Sequence, residues 1–313
     1  MAIISEAIKV LGATQKEVVK EQYYYGLVEK NVLITGADGQ LGSEIRVLTQ
    51  KISTPFKFYF TDYDTLDITI KAEVEEYVKI NHIQYIINCA GYTNVDKGET
   101  DTDKLFDVNI AGVENIAWAA KKYGAKIIHI STDYVFDGNS TSPIKESYPT
   151  NPKGAYGQSK LEGELEIASA ACDAVIIRTA WLYSEFGNNF VKTMLRLGKE
   201  KDTLSVVYDQ VGTPTYATDL ALAVMQIIDN GFNGYHLYHY SNEGVLSWYD
   251  FAYEIFALSG MKVHINPVES DQYPTPAKRP AYSVLSKEKI KSIGIKVPYW
   301  KESLTNCLSI LNK

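Results

Sequence analysis

The sequence predicts an α/β protein in which a doubly wound parallel sheet is joined to a smaller, partly interleaved C-terminal domain. Three observations lead to this prediction. From residue 31 onward, short runs of β-branched and aromatic residues alternate with helical stretches, and a glycine-rich loop follows the first run. Beyond residue 180 the alternation loosens and prolines interrupt it. Strands that are apolar on both faces and alternate with helices are typical of a parallel sheet covered by helices on both sides.

The alternation contains five predicted strands and at least six predicted helices. The strand sequences, in order, are NVLITG, FKFYFTD, IQYIINCA, AKIIHIST and AVIIRTA. Helices are predicted from about residue 40, over 73–79, over 104–123, after Tyr156, over 217–228 and over 247–258. We divide the chain, with approximate boundaries, into an amphipathic helical extension (1–30), a sheet domain (31–180) and a substrate domain (181–313).

Composition excludes several classes of function. The formal net charge of -7 argues against nucleic-acid or anionic-membrane binding, because both need a broad basic face. The three cysteines are widely spaced and the five histidines lack metal-ligand spacing, so we expect no disulfide framework and no metal site. The N-terminus lacks the pattern of a signal peptide, and no run approaches the roughly 20 apolar residues of a membrane span. We therefore expect a cytoplasmic protein.

The loop NVLITGADGQLG predicts a site for the diphosphate of a dinucleotide cofactor. Glycines between a strand and a helix permit a tight turn and let backbone amides approach phosphates at the positive end of the helix dipole. The spacing GxxGxxG differs from the usual GxGxxG, and a glycine-rich turn without a ligand is the alternative. The position of the loop directly after the first strand favours the cofactor. The predicted contacts are Gly36, Asp38, Gly39, Gln40, Leu41 and Gly42.

Asp62 ends the second strand, where a carboxylate accepts hydrogen bonds from the adenosine ribose. A carboxylate there repels a 2′-phosphate, and no arginine adjoins it in the sequence. These features favour NADH, with NADPH as the alternative. Asp67 and Ile68, which follow shortly after, are predicted to border the adenine.

Tyr156 and Lys160, in YGQSK, are four residues apart, so on a helix both side chains project from one face. An ammonium near a phenol favours the phenolate, and we expect it to lower the pKa of Tyr156 toward the working pH. Taken alone, YxxxK would ordinarily be a solvated pair. Here it follows a strand that ends in Ser131, Thr132 and Asp133, where a hydroxyl would join the tyrosine in hydrogen-bonding a carbonyl oxygen.

These motifs, with the strand end at 88–91, resemble the extended short-chain dehydrogenases/reductases and, more narrowly, the dTDP-4-dehydrorhamnose reductase family. The narrower resemblance rests on the blocks INCAGYTNVDKGE, HISTDYVFDG, YGQSKLEGE, RTAWLYSEFGNNFVKTML, DQVGTPT and PTPAKRPAYSVL. It implies a Rossmann domain with a smaller sugar-nucleotide domain. It also implies reduction by NADH or NADPH of the C4 keto group of a dTDP-4-keto-6-deoxy sugar, with dTDP-L-rhamnose as the product. The first 30 residues have no counterpart in this pattern, and a homodimer is one expectation for assembly.

The resemblance also assigns roles to individual residues. Tyr156 would donate the proton, and Thr132 would complete the catalytic set. Lys160 would activate Tyr156 and bind the nicotinamide ribose. Further implied contacts are Ala90, Gly91 and Thr93 on the cofactor side and Thr132, Asp133, Trp181 and Arg279 on the substrate side.

Several of these side chains have ordinary structural alternatives. Trp181 would pack on the sugar, or else in the core, and Arg279 would bind the diphosphate, or else form a surface salt bridge. His129 alternates with apolar residues in a strand, which favours a hydrogen-bonded structural role. The acidic positions Glu162, Glu164 and Glu166 are predicted to be solvated.

Two other functions remain open from the sequence. One is a different sugar-nucleotide reductase or epimerase of the same superfamily. The other is a regulatory NADP-binding subunit resembling that of methionine adenosyltransferase, which would keep the fold and act through a partner. The complete set of Thr132, Tyr156 and Lys160 favours a reductase, whereas co-purification with a synthetase would favour the regulator.

Overall fold

The computed structural model describes residues 30–312, so the predicted helical extension lies outside the described residues except for Lys30. A six-stranded sheet forms the centre of the fold. Its strands are β1 (Lys30–Thr35), β2 (Phe56–Phe60), β3 (Ile83–Asn88), β4 (Lys126–Thr132), β5 (Ala174–Thr179) and β10 (Tyr235–His239).

In space the strands follow the order β10-β5-β4-β3-β1-β2, and every neighbouring pair is parallel. The direction of winding reverses beside β1, because the chain moves outward to β2 and then returns past β1 to β3. In open α/β sheets, ligands bind outside the carboxyl ends of the strands at such a switch point. The prediction of a doubly wound parallel sheet is confirmed.

Helices cover both faces of the sheet. One face packs against α1 (Gln40–Lys51) and α8 (Ala217–Asn230), and the other against α2 (Lys71–Ile80), α5 (Gly112–Tyr123) and α6 (Ala155–Ala170). The predicted helix over 104–123 is interrupted by a π-helical turn at Asp107–Ala111. The remaining helices before residue 180 are α3 (Val95–Gly98) and α4 (Thr102–Phe106), with a 3-10 turn at Asp133–Val135.

A second core of aromatic and aliphatic side chains is built from the C-terminal third of the chain, around Tyr183, Phe251 and Trp300. Its helices are α7 (Phe190–Glu200), α9 (Trp248–Leu258), α10 (Glu288–Ser292) and α11 (Trp300–Leu311), with a 3-10 turn at Ser270–Gln272. Its strands are β6 (Leu182–Tyr183), β7 (Thr203–Val207), β8 (Val211–Gly212), β9 (Thr215–Tyr216), β11 (Leu246–Ser247) and β12 (His264–Val268).

The two cores exchange segments of chain. Strand β10 and helix α8 come from beyond residue 180, yet β10 pairs with β5 along its length and α8 packs beside α1 in the main sheet unit. The domain boundary at residue 180 stays a prediction. Among residues 30–312, no helix is both long enough and apolar enough to cross a membrane.

Candidate active site

The predicted site residues gather at the carboxyl edge of the parallel sheet. The glycine loop follows β1, Asp62 follows β2, Ala90 follows β3, and Thr132 is the last residue of β4. Tyr156 and Lys160 lie in the first turns of α6, which packs beside β4. Residues distant in sequence therefore share one edge because parallel strands end on the same side.

The glycine loop is too close to its neighbours for side chains at two positions. Gly36 has a left-handed backbone with φ of 63°, and a Cβ atom there would lie 2.6 Å from the Cα of Ala90. A Cβ at Gly42 would lie 2.5 Å from the carbonyl oxygen of Gly36. Helix α1 begins after Gly39 with no side-chain cap, so the backbone N–H groups of its first turn are left for a diphosphate, and the residues present fit a dinucleotide. Leu41 is buried in the core and offers only its backbone.

Asp62 is fixed beside the glycine loop. Its Oδ2 atom accepts a hydrogen bond from the backbone N–H of Asp38 at 2.9 Å, and Oδ1 accepts one from the N–H of Tyr63 at 2.8 Å. Arg46, which the sequence analysis did not consider, reaches the same corner. Its Nη2 atom lies 2.9 Å from Asp38 Oδ1, and its guanidinium stacks over the ring of Phe60. No arginine adjoins Asp62 in the sequence, but nearly two turns of α1 bring Arg46 to the neighbouring Asp38.

The residues predicted to border the adenine already contact other parts of the protein. Asp67 Oδ1 accepts hydrogen bonds from the N–H and hydroxyl of Thr69, at 2.9 and 2.7 Å. The Ile68 side chain is buried against Gly112, so it offers only its backbone to a ligand. Thr93 is exposed, and Gln40 accepts a hydrogen bond from Asn189 in the other core. Their contacts with a cofactor stay predictions.

Tyr156 is buried beside Thr132. Burial raises the pKa of Tyr156, with further increases from Asp133 and Tyr134, while a hydrogen bond with Thr132 opposes the change. The predicted lowering of this pKa is therefore wrong for the protein without ligands, because loss of solvent outweighs any effect of Lys160. The phenol stays protonated at neutral pH, which is the state that a proton donor needs.

Lys160 is also buried, and two of its three N–H donors form hydrogen bonds with the protein. Nζ lies 2.7 Å from the carbonyl oxygen of Ile130 and 3.3 Å from Nε2 of His129. Burial lowers the pKa of Lys160 to about 8, although the charges of Glu164 and Cys89 act in the opposite direction. At neutral pH the ammonium predominates, and one donor is left for the site.

Glu164 holds α6 against the sheet. It accepts hydrogen bonds from Arg178 Nε at 2.9 Å and Nη2 at 2.6 Å, and it accepts another from the hydroxyl of Ser131. The prediction that Glu164 is solvated is wrong, because residues two apart on a helix point in different directions. Glu164 faces the sheet, whereas its neighbours two residues away do not.

The side predicted to bind the substrate contains a carboxylate and an arginine. Burial raises the pKa of Asp133 to about 6, and its Oδ2 atom has no hydrogen-bond partner among residues 30–312. Arg279 donates to Asp96 at 2.7 Å and to the hydroxyl of Tyr134 at 3.2 Å. The ring of Tyr134 in turn meets that of Tyr156 edge-on at 5.5 Å between centroids. Sequence reasoning missed Asp96 and Tyr134, although they lie in INCAGYTNVDKGE and HISTDYVFDG, two of the sequence blocks that carry the family resemblance.

Trp181 is half-buried and stacks on Trp248, with ring centroids 3.6 Å apart. Its backbone has φ of 48°, a left-handed conformation that is strained for a bulky residue. Trp181 also packs against Gly212, where a Cβ would lie 2.7 Å from the indole. The structure therefore gives Trp181 a packing role, and its contact with a sugar stays a prediction.

Asn109 is a buried site residue that the sequence analysis missed. Its Oδ1 accepts from the N–H of Tyr92 at 2.9 Å, and its Nδ2 donates to the carbonyl oxygen of Tyr92 and to Ser159 Oγ at 3.0 Å. The π-helical turn at Asp107–Ala111 contains Asn109 and sets its orientation. It joins the loop after β3 to the helix that carries Tyr156.

Comparisons with known proteins match this geometry. The family model of the RmlD substrate binding domain matches residues 30–313. A dTDP-4-dehydrorhamnose reductase of Aggregatibacter actinomycetemcomitans is 40% identical over 287 residues, covering 88% of this chain and 97% of that protein. A crystal structure of a dTDP-4-dehydrorhamnose reductase from Clostridium acetobutylicum has 44% identity and a TM-score of 0.86, covering 90% of this chain and 100% of that one. The structure of the Bacillus anthracis enzyme in complex with NADP has 39% identity and a TM-score of 0.85, covering 90% and 99%.

Proposed function

Because the chain belongs to the RmlD substrate-binding-domain family, we propose that it reduces the C4 keto group of dTDP-4-dehydro-L-rhamnose, with NADH or NADPH, to give dTDP-L-rhamnose. The observation that carries this proposal is the convergence of Thr132, Tyr156 and Lys160 beside the glycine loop at one edge of the sheet. A reduced nicotinamide, when bound, supplies the hydride for this reaction.

The protein supplies the proton and the orientation of the keto group. Tyr156 is protonated at neutral pH, so it donates a proton to the carbonyl oxygen as negative charge develops there. Thr132, whose hydroxyl donates to Asp133 Oδ1 at 3.0 Å, provides a second hydroxyl beside Tyr156. Lys160 keeps a positive charge nearby and stabilises the phenolate that Tyr156 becomes.

A direct assay tests the function. Purified protein is mixed with dTDP-4-dehydrorhamnose and NADH or NADPH, and loss of the reduced nicotinamide is followed by absorbance. We expect turnover that depends on both reactants and yields dTDP-L-rhamnose. If the protein binds NADPH but oxidises it with no 4-keto sugar nucleotide, the reductase proposal fails. Co-purification with a methionine adenosyltransferase would then support a regulatory subunit.

Arg46 and Asp62 are expected to set the cofactor preference in opposite directions. The guanidinium of Arg46 lies beside Asp38 and would attract a 2′-phosphate, whereas the Asp62 carboxylate would repel it. Arg46→Ala should lower the kcat/KM for NADPH by about 10- to 150-fold relative to NADH, the loss expected for one charge-assisted hydrogen bond. Asp62→Ala should shift the ratio toward NADPH.

Steady-state kinetics with both cofactors measures this ratio. Lys51→Ala is the matched control, since it removes a cation from the C-terminal end of the same helix. An NADPH-to-NADH ratio that is the same in Arg46→Ala and in the control would place the 2′-phosphate elsewhere.

Arg279 is expected to bind the diphosphate of the sugar nucleotide. Arg279→Ala should raise the Michaelis constant for that substrate by about 10- to 150-fold while cofactor affinity stays unchanged. Lys278→Ala removes the same charge from an exposed neighbour and serves as the control. Asp96→Asn removes the partner of Arg279 but keeps the cation. An equal rise in the Michaelis constant for Asp96→Asn would instead assign Arg279 to the salt bridge alone.

A further inference from the structure

The side chain of His129 belongs to a buried chain of hydrogen bonds that ends at Lys160. Thr35 Oγ1 lies 2.7 Å from Asn88 Oδ1, Asn88 Nδ2 lies 3.0 Å from His129 Nδ1, and His129 Nε2 lies 3.3 Å from Lys160 Nζ. None of the four residues is more than 5% exposed. The chain runs across β1, β3 and β4 and ends on α6, so it connects three strands to the catalytic helix.

Protonation rules restrict this chain to two arrangements. Burial, reinforced by the charge of Lys160, lowers the pKa of His129 well below its usual range, so the imidazole is neutral and has one donor and one acceptor. When Lys160 is an ammonium it only donates, so His129 Nε2 must accept and Nδ1 must carry the proton. Nδ1–H then donates to the amide oxygen of Asn88, which requires the amide to be turned over from the orientation given above so that its NH2 group faces Thr35.

The second arrangement reverses every donor. A neutral Lys160 amine keeps two N–H donors and gains a lone pair, so it can donate to Ile130 while its lone pair accepts from His129 Nε2–H. Nδ1 then accepts from the amide NH2 of Asn88, which is the amide orientation in the structure. The hydroxyl of Thr35 then donates to the amide oxygen. The change releases one proton to solvent in total: Lys160 passes a proton to Nε2, and Nδ1 gives up its own. The amide and the hydroxyl rotate to match, because the two orientations of an amide have nearly the same shape.

We propose that His129 is a positioning residue for Lys160, and that the Thr35–Asn88–His129 chain reverses direction when Lys160 gains or loses a proton. In both directions the nitrogen that faces Lys160 is complementary to its charge state. Lys160 therefore stays between His129 and the carbonyl oxygen of Ile130 whether it is charged or neutral. The inference rests on the proposed reductase function only for its catalytic meaning, since the chain itself needs no bound ligand.

Other titratable groups around Lys160 keep their charge state while the lysine titrates. Cys89, after β3, stays a thiol because burial raises its pKa to about 12. Tyr156 stays a phenol because its pKa is raised. Glu164, on the same helix as Lys160, is held in its ion pair with Arg178. The reversal should therefore follow the titration of Lys160 near pH 8.

Nitrogen NMR of the cofactor-free protein, labelled with ¹⁵N-histidine, tests the reversal between about pH 6 and pH 10. We expect the unprotonated nitrogen of His129 to be Nε2 at low pH and Nδ1 at high pH, with an uncharged ring throughout. His239 is an internal control: it is buried, its Nδ1 lies 3.0 Å from the carbonyl oxygen of Ile144, and burial lowers its pKa to about 3. Its tautomer should not change.

Lys160→Met should abolish the change of tautomer at His129. A His129 tautomer that stays constant in the unmodified protein, or that still changes in Lys160→Met, would overturn the proposal. Because these spectra need neither substrate nor cofactor, they remain informative if the reductase assay itself fails.

Two substitutions of His129 separate positioning from packing. His129→Leu removes a hydrogen bond that is stronger to the Lys160 ammonium than to the neutral amine, so the pKa of Lys160 and the alkaline limb of the kcat/KM profile should move lower, by at most about 1–2 pH units. His129→Gln retains an acceptor and should keep the limb near its original pH. A uniform loss of activity in both variants, with no movement of the limb, would assign His129 to packing alone. The His239 signals report whether each variant is folded.

Discussion

Replacing Tyr156 by phenylalanine is expected to lower turnover by about 10²–10⁴-fold, the usual contribution of general acid–base catalysis. The substitution keeps the buried ring and its edge-on contact with Tyr134, and it removes only the hydroxyl that meets Thr132. Dissociation constants for NADH and NADPH should change little. The measurement is single-turnover reduction of dTDP-4-dehydrorhamnose together with cofactor titration.

The control for this substitution is Tyr253→Phe, which removes a hydroxyl from an exposed position on α9. It should leave turnover unchanged. If Tyr156→Phe retained nearly normal turnover, another group would have to supply the proton. Asp133 would be the next candidate, because burial raises its pKa to about 6 and leaves part of it protonated near neutrality. An activity that declined with rising pH through that value would then identify Asp133.

The sheet and the glycine loop could be predicted because their signals are local. Alternation of strand and helix, and a glycine loop after β1, depend on residues adjacent in the chain. The carboxyl-edge position of Thr132 follows from the same logic, since a strand end fixes which edge a residue occupies. The positions of Tyr156 and Lys160 on one helix likewise needed only their spacing.

What sequence reasoning missed depends on burial and on contacts between distant segments. The direction of the Tyr156 pKa shift could not be predicted, because the sequence does not reveal how completely the phenol is desolvated. Arg279 and Asp96 are 183 residues apart in the chain, and no local pattern pairs them. The π-helical turn that orients Asn109 inserts into an otherwise regular helical pattern. Glu164 was predicted to be exposed because three acidic residues at alternate positions of a helix are typical of a solvated surface.

Breaking the buried ion pair between Arg178 and Glu164 on one side only should be strongly destabilising. Both side chains are only 4% exposed, and their closest atoms are 2.6 Å apart. Arg178→Met would leave the Glu164 carboxylate buried without its cation. Removal of one member of a buried pair costs about 3–5 kcal/mol, because the remaining charge has lost both its water and its partner. We expect the free energy of unfolding to fall by that amount in denaturant titrations.

A double-mutant cycle separates the ion pair from the loss of packing. Arg178→Met combined with Glu164→Leu replaces both charges by apolar groups, and it should recover much of the stability lost by Arg178→Met alone, because no buried charge is left unpaired. The matched control is the exposed pair of Arg196 and Glu200 on α7. Their side chains are 60% and 50% exposed, and Arg196 Nη1 lies 3.0 Å from Glu200 Oε2. Arg196→Met should change the free energy of unfolding by less than about 1 kcal/mol, because water screens the exposed charges. Equal losses at the buried and exposed pairs would mean that Glu164 is hydrated or protonated in the folded protein, and the anchoring of α6 would then rest on packing.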